Sequence, residues 1–125
     1  MLGTGGASKA VAHILKKLGC EPIFISRSPK NNLEFSYADI NSYMVQACKL
    51  IVNTTPVGTF PNVNDEIDFP TQFLSEEHLI IDLIYNPEET VFLKQAKTEG
   101  AITQNGIVML REQAEKAWSI WNSAT

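Results

Sequence analysis

Residues 2–26 read LGTGGASKAVAHILKKLGCEPIFIS, and this stretch decides the fold. Gly3-Thr4-Gly5-Gly6-Ala7-Ser8 brings glycines to the point where a helix begins, and glycine lets a backbone turn sharply and approach a pyrophosphate at a helix N-terminus. From residue 8 to 18, Val11, Ile14, Leu15 and Leu18 share one helical stripe, while Lys9, Lys16 and Lys17 point outward and Gly19 is the stop. Pro22-Ile-Phe-Ile-Ser26 is a short β-rich run. Ser8 stands where a dinucleotide fingerprint has its third glycine, and a Gly-rich helix entry with no ligand is the plain alternative at this point.

Working outward, Asn31 to Asn41 is polar and irregular, with an edge strand at Glu34–Tyr37 and a short helix around Ile40–Cys48. Leu50-Ile-Val-Asn53 is an apolar run closed by Thr-Thr-Pro-Val-Gly, the pattern of a buried parallel strand delivering its end into a loop. Residues 59–78 read as a loop with one helical turn at Gln72–Glu76, and Leu79-Ile-Ile-Asp82 as another buried strand. Thr90 caps a helix running to Glu99 with Gly100 as its stop, Ala101–Thr103 is a last strand, and a final helix places Leu110, Ala114, Ala117, Trp118 and Trp121 on one stripe. Strands alternating with helices through short links predict an α/β, doubly wound, Rossmann-like and mostly parallel sheet with helices on both faces, one domain over residues 1–125. Only Met1-Leu2 precede the Gly-rich segment where a strand of about five or six residues is expected, so the first strand reads as truncated.

Composition narrows the class. The chain has 125 residues, 44% apolar and 19% charged, enough for a single core and too short for two full domains. A net charge of −4 without a basic run argues against a nucleic-acid surface. No apolar stretch is long enough to cross a bilayer, and the start lacks the basic-then-apolar layout of a signal peptide, so a cytoplasmic protein without membrane attachment is expected. Cys20 and Cys48 belong to no Cys/His cluster and read as small buried hydrophobes; neither a disulfide nor a metal site is expected.

Four places carry chemistry. About twenty residues after the Gly-rich turn, a dinucleotide fold places the residue that reads the adenosine ribose, where NAD enzymes put an acid. Here stands Ser26-Arg27-Ser28-Pro29-Lys30, whose hydroxyls, guanidinium and ammonium suit a 2′-phosphate and favour NADP; a solvated turn with two surface cations is the bland alternative. Asn53-Thr54-Thr55-Pro56-Val57-Gly58 puts an amide and two hydroxyls at a strand end, either a ligand contact or a satisfied turn. Asp82-Leu83-Ile84-Tyr85-Asn86-Pro87 ends the next strand with a phenol, which a buried tyrosine with a satisfied hydroxyl would equally explain. Gln113 lies beside the apolar stripe of the last helix. His13 and His78 lack an acid or Cys partner at useful spacing and read as structural.

Together LGTGGASKAV, SRS, NTTPVG, DLIYNP followed by T-x-F-L, and NGIVMLREQA resemble the C-terminal, NADP-binding domain of shikimate dehydrogenases, from Leu2 to Trp121. These enzymes reduce 3-dehydroshikimate to shikimate in aromatic amino-acid biosynthesis. The resemblance implies that Gly3, Thr4, Gly5, Gly6 and Ala7 hold the pyrophosphate and that Ser26, Arg27, Ser28 and Lys30 surround the 2′-phosphate. It implies too that Thr54 and Thr55 lie along the cofactor, that Leu83, Gly106 and Met109 line the nicotinamide pocket, and that Tyr85 and Gln113 touch the substrate.

The pattern departs from the family in three ways. Ser26 replaces the usual Asn of the phosphate clamp, Asn31 falls where its second cation belongs with Lys30 one position early, and the stretch from Pro29 to Tyr37 is too short for the helix the family has there. The family's catalytic Lys and Asp belong to an N-terminal domain, so no catalytic residue is assigned to this chain and the fragment alone is expected to be inactive. The truncated strand is expected to leave the glycine loop mobile or to be filled by another copy, giving a homo-oligomer. An NAD-dependent quinate/shikimate dehydrogenase and a non-catalytic nucleotide sensor are the alternative readings; the lack of an acid after the second strand argues against the first, and Tyr85 with Gln113 against the second.

Overall fold

The computed structural model describes residues 1–106, and its architecture starts from the glycine turn. Gly5 is the N-cap of helix α1 (Gly6–Lys17), which ends where Gly19 turns back at φ +89°. Short strands β1 (Phe24–Ile25) and β2 (Glu34–Phe35) follow, then a single 3-10 turn at Tyr37–Asp39 and helix α2 (Ser42–Ala47). Strand β3 (Leu50–Asn53), strand β4 (Leu79–Asp82), helix α3 (Val91–Thr98) and strand β5 (Ile102–Gln104) complete the described chain. Asn41 and Thr90 set the starts of α2 and α3 by accepting the Met44 and Leu93 amides on their side chains.

All pairings are parallel. β1 pairs with β2, and β3 pairs with β4, which pairs with β5. Leu2 joins the two groups by bridging Ile25 on one side and Asn53 on the other, so the spatial order is β2, β1, Leu2, β3, β4, β5. The chain leaves the middle of the sheet toward β2 and then returns to β3 on the other side of Leu2. That reversal creates the crevice at strand ends in which open α/β sheets bind ligands. The fold is the parallel, Rossmann-like α/β arrangement expected from the alternation of elements.

One core cluster joins alternate sheet residues Leu2, Ile25, Ile51 and Ile80 to Val45 of α2 and to Phe92, Leu93 and Ala96 of α3. Phe69 meets Phe92 edge-on at 5.7 Å between ring centroids. No residue of α1 belongs to this cluster. The expected apolar stripe of α1 is corrected here: Ser8 and Ala12 are its buried residues, whereas Ile14 and Leu18 are 55% and 73% exposed. Small side chains one turn apart let the helix lie close, so its seat runs along Ser8 and Ala12 and leaves the bulkier residues outside.

The cysteine expectation is also corrected. Cys20 is exposed and Cys48 half-buried, and neither forms a disulfide. Both lie on the links entering β1 and β3, outside the strands that fill the core. His13 is exposed on α1, while His78 is buried, its Nε2 donating to the Val45 carbonyl (2.7 Å) and its Nδ1 accepting the Ser75 amide (3.0 Å). The helical turn expected at Gln72–Glu76 is a 3-10 turn at Thr71–Phe73, three residues that hand the chain on to Leu74 in the core. Eight residues, 26–33, connect the parallel pair β1 and β2 without a helix. The expected final helix lies outside the described residues. Among the described residues no helix is long and apolar enough to cross a membrane, and no group of His, Cys, Asp and Glu could hold a metal ion.

Candidate functional site

The crevice is built on a close approach of two turns. Gly3 has φ +104°, and a Cβ there would lie 2.7 Å from Thr54 Oγ1 and 3.0 Å from Thr55 Cγ2. Only glycine meets both demands. Thr54 locks the approach by donating its amide (2.9 Å) and its hydroxyl (2.6 Å) to the Leu2 carbonyl. Gly5 and Gly6 face open space, with no atom within 4 Å of an added Cβ. They open a 12-residue helix that has no acid in its first turn, so its positive end faces that space uncompensated. Such a cradle fits a pyrophosphate. Ser8 is spent within the turn, its hydroxyl donating to the Gly5 carbonyl at 2.6 Å.

Two cavities flank this turn. One, of about 500 Å³, is lined by Gly3, Thr4 and Gly5, by Ser26, Arg27, Ser28 and Lys30, and by Thr54 and Thr55. The residues expected around the adenosine and its phosphate are thus brought together. The Ser26 hydroxyl accepts the Ser28 amide at 3.2 Å, which curls the segment so that Arg27 and Lys30 stay exposed over the cavity. The second cavity, of about 420 Å³, is lined by Ala7, Thr54, Thr55, Leu83 and Tyr85 among others. Thr54, Thr55 and Pro56 line both, so the two form a trough past the end of the Leu2 strand. Gly6 lines neither, although it opens α1 between them.

Side chains at the strand ends hold the trough's floor. Asn53 is fully buried, its Oδ1 accepting the Thr55 amide (3.0 Å) and hydroxyl (2.7 Å) and its Nδ2 donating to Asp82 Oδ1 (3.0 Å). Of the two readings of the Asn53 motif, the satisfied turn describes all three side chains, since the Thr54 and Thr55 hydroxyls donate to Leu2 and Asn53, while Thr54 and Thr55 also line the cavities. Asp82, also fully buried, accepts from the Ile84 amide (3.1 Å) and the Thr90 hydroxyl (2.8 Å) as well. Burial pushes its carboxyl above the ordinary 3.8, against the opposing pull of the Ile84, Thr90 and Asn53 hydrogen bonds.

Tyr85 is 54% exposed on the second cavity, so it is not the buried, internally satisfied tyrosine that its motif allowed. Gly106 lies against the same loop. Its amide donates to the Ile84 carbonyl at 3.2 Å, and a Cβ there would collide with the Leu83 carbonyl oxygen. Met109 and Gln113 lie outside the described residues.

Sequence reasoning missed part of the first cavity's wall. Tyr37, Val57, Glu66, Ile67 and Asp68 line it too. Burial raises the Tyr37 phenol, Arg27 pulls it down and Asp68 raises it further, and all three residues line this cavity. Residues 59–78 carry no periodicity or spacing that points to the trough, and Glu66 and Asp68 read there only as acids of a loop.

No family model matches the chain. Among curated proteins it is similar to the shikimate dehydrogenase (NADP(+)) of Desulforamulus reducens, 36% identical over an alignment of 143 positions that covers all of this chain and 49% of the relative. Among solved structures it is similar to a shikimate dehydrogenase in complex with NADP+, with a TM-score of 0.81 and 33% identity, covering 98% of this chain and 47% of that one. A shikimate 5-dehydrogenase of Thermus thermophilus, solved in complex with NADP(H) and shikimate, gives a TM-score of 0.80 and 31% identity over 98% of this chain and 48% of its own. The chain spans about half the length of the relatives it matches.

Proposed function

We propose that this chain, similar along its length to about half the length of shikimate dehydrogenases, is the NADP-binding domain of such an enzyme over residues 1–125. The observation that carries the reading is the trough itself, where an open glycine cradle at a helix N-terminus continues into a cavity edged by Arg27 and Lys30 and lacks an acid at the end of β1. Gly3, Thr4, Gly5, Gly6 and Ala7 hold the pyrophosphate. Ser26, Arg27, Ser28 and Lys30 meet the 2′-phosphate, and Thr54 and Thr55 run along the cofactor. Leu83, Gly106 and Met109 border the nicotinamide, with Tyr85 and Gln113 on the substrate. When bound, NADPH supplies a hydride to a ring ketone, as in the reduction of 3-dehydroshikimate. The residues of this chain position that exchange: Leu83, backed by Gly106, lines the second cavity, and the exposed Tyr85 hydroxyl offers the substrate a hydrogen bond.

In this reading Tyr85, the one titratable side chain lining the second cavity among the described residues, holds the substrate, and the proton comes from the half of such an enzyme that this chain does not span. The chain by itself therefore binds cofactor without turnover. A homo-oligomer through the cavity at Met1, between the links into β1 and β3, and a cytoplasmic location accompany this reading.

Titration calorimetry tests it. NADP+ is expected to bind more tightly than NAD+, and Arg27→Ala is expected to weaken NADP+ by about 1.5–3 kcal/mol, the worth of a charged hydrogen bond, without changing NAD+. Equal affinities for the two nucleotides in the unaltered chain would overturn the NADP assignment. Oxidation of shikimate by this chain with NADP+ at an ordinary enzymatic rate, about 1–1000 per second, would overturn the division of labour.

A further inference from the structure

We infer that Asp82 is a positioning residue, one that sets the cofactor-side loop 53–58 against the substrate-side loop 83–87 and so shapes the cavity between them. The inference rests on the proposed function for its meaning and on hydrogen-bond geometry for its argument. Three donors from separate places converge on this one carboxylate: Asn53 Nδ2 from the end of β3, the Ile84 amide from the loop after β4, and the Thr90 hydroxyl from the start of α3. Each donor leads on to a working part. Asn53 carries the tie to the Thr55 amide and hydroxyl, and Thr55 lines both cavities. Ile84 is the residue before Tyr85 and accepts the Gly106 amide on its carbonyl. Thr90 passes the connection to α3 by accepting the Leu93 amide.

A carboxylate is the group this junction requires, since two oxygens with no proton to place can accept from three donors. An amide of the same shape turns one of its atoms into a donor facing a donor. The far end of the cavity is tied separately, through the Phe60 amide (2.8 Å) and the Thr59 hydroxyl (3.3 Å) on the Asn86 carbonyl. Backbone oxygen makes that outer tie; at the inner end the Leu83 amide likewise donates to the Asn53 carbonyl (3.1 Å), and the side-chain part of the tie runs through the one Asp82 carboxylate. Among the described residues none of Asp82's partners is a cation, and the three that bond it are neutral donors, an arrangement costly to keep as mere filling.

The test compares the 125-residue chain with Asp82→Asn, with Asn53→Asp, and with the exchange pair Asn53→Asp/Asp82→Asn. Amide hydrogen exchange is read at Thr55, Ile84 and Leu93 relative to the core amide of Ile80, which removes any change in global stability. NADP+ affinity is measured alongside. Asp82→Asn is expected to speed exchange at Thr55 about tenfold, the loss of one charged hydrogen bond, and to weaken NADP+ by a similar factor. Asn53→Asp alone sets two carboxylates face to face and is expected to do more. The exchange pair restores a donor opposite a carboxylate and is expected to bring Thr55 back toward its original rate. Asp82→Asn opening Leu93 alone, with Thr55 unchanged, would mean that the carboxylate only supports the start of α3 and would overturn the inference. A chain that binds no NADP+ counts against the proposed function, while the exchange rates at Thr55 still decide the role of Asp82.

Discussion

Gly3 and Asp82 each hold a close junction of the crevice. Gly3 combines a positive φ with a close approach to Thr54, whereas Gly19 has a comparable φ of +89° in open space. Gly3→Ala is therefore expected to cost more than Gly19→Ala, the latter reporting backbone strain of about 1–3 kcal/mol alone. Urea unfolding of the two variants checks this, and equal losses would mean that the contact with Thr54 relaxes freely. Asp82 adds a pH dependence. Because burial raises its folded pKa above 3.8, the folded chain holds this proton more tightly than the unfolded one. Its contribution to stability thus falls as pH rises from 3.8 through the folded pKa, and the penalty is complete above it. Asp82→Asn removes that slope, so its stability relative to the unaltered chain is expected to improve as pH rises above 3.8. A relative stability that does not change with pH would show that the three hydrogen bonds cancel the desolvation.

At the scale of elements, ends matter more than middles. Helix α3 begins where Thr90 both accepts the Leu93 amide (3.2 Å) and donates to Asp82 (2.8 Å). Thr90→Val is expected to lower stability by about 0.5–2 kcal/mol, the range for losing a side-chain cap, and Thr90→Ser to keep most of it. Chemical denaturation of the pair reads the difference, and equal losses in both variants would point to the methyl group's packing instead. β3, β4 and α3 were legible in the sequence nearly to the residue, because apolar runs closed by polar turns and a capped helix are local signals. The run Pro22–Ser26 shrank to the two-residue strand β1, since a strand lasts only as long as its neighbours pair with it, and β2 offers two residues. The outer part of the α1 stripe was misjudged for a related reason: periodicity identifies an apolar face but not what lies opposite it.

Taken whole, the sheet is held together at its centre by Met1 and Leu2. Leu2 donates to the Val52 carbonyl (2.8 Å) and accepts from Thr54, while Met1 accepts the Ile25 amide (2.8 Å). Beside them lies a mostly apolar cavity of about 300 Å³ between the links into β1 and β3, with Ile23, Met44 and Leu50 in its wall. The proposed homo-oligomer would place an extended segment of another copy there, so sedimentation velocity is expected to reveal association that grows with concentration. A monomer over the whole range would remove the oligomer from the reading. The sequence by itself determined the parallel α/β class, the glycine turn and the cationic segment at the end of β1, all of which are written in contiguous residues whose spacing encodes their geometry. Only the folded chain brings Glu66 and Asp68 into the lining of the first cavity with Arg27, and joins Asn53 and Asp82, 29 residues apart, by a buried hydrogen bond. Those pairings arise from parallel register, in which Asn53 lies opposite Asp82. Register is a property of two strands together, and neither strand's sequence states it alone.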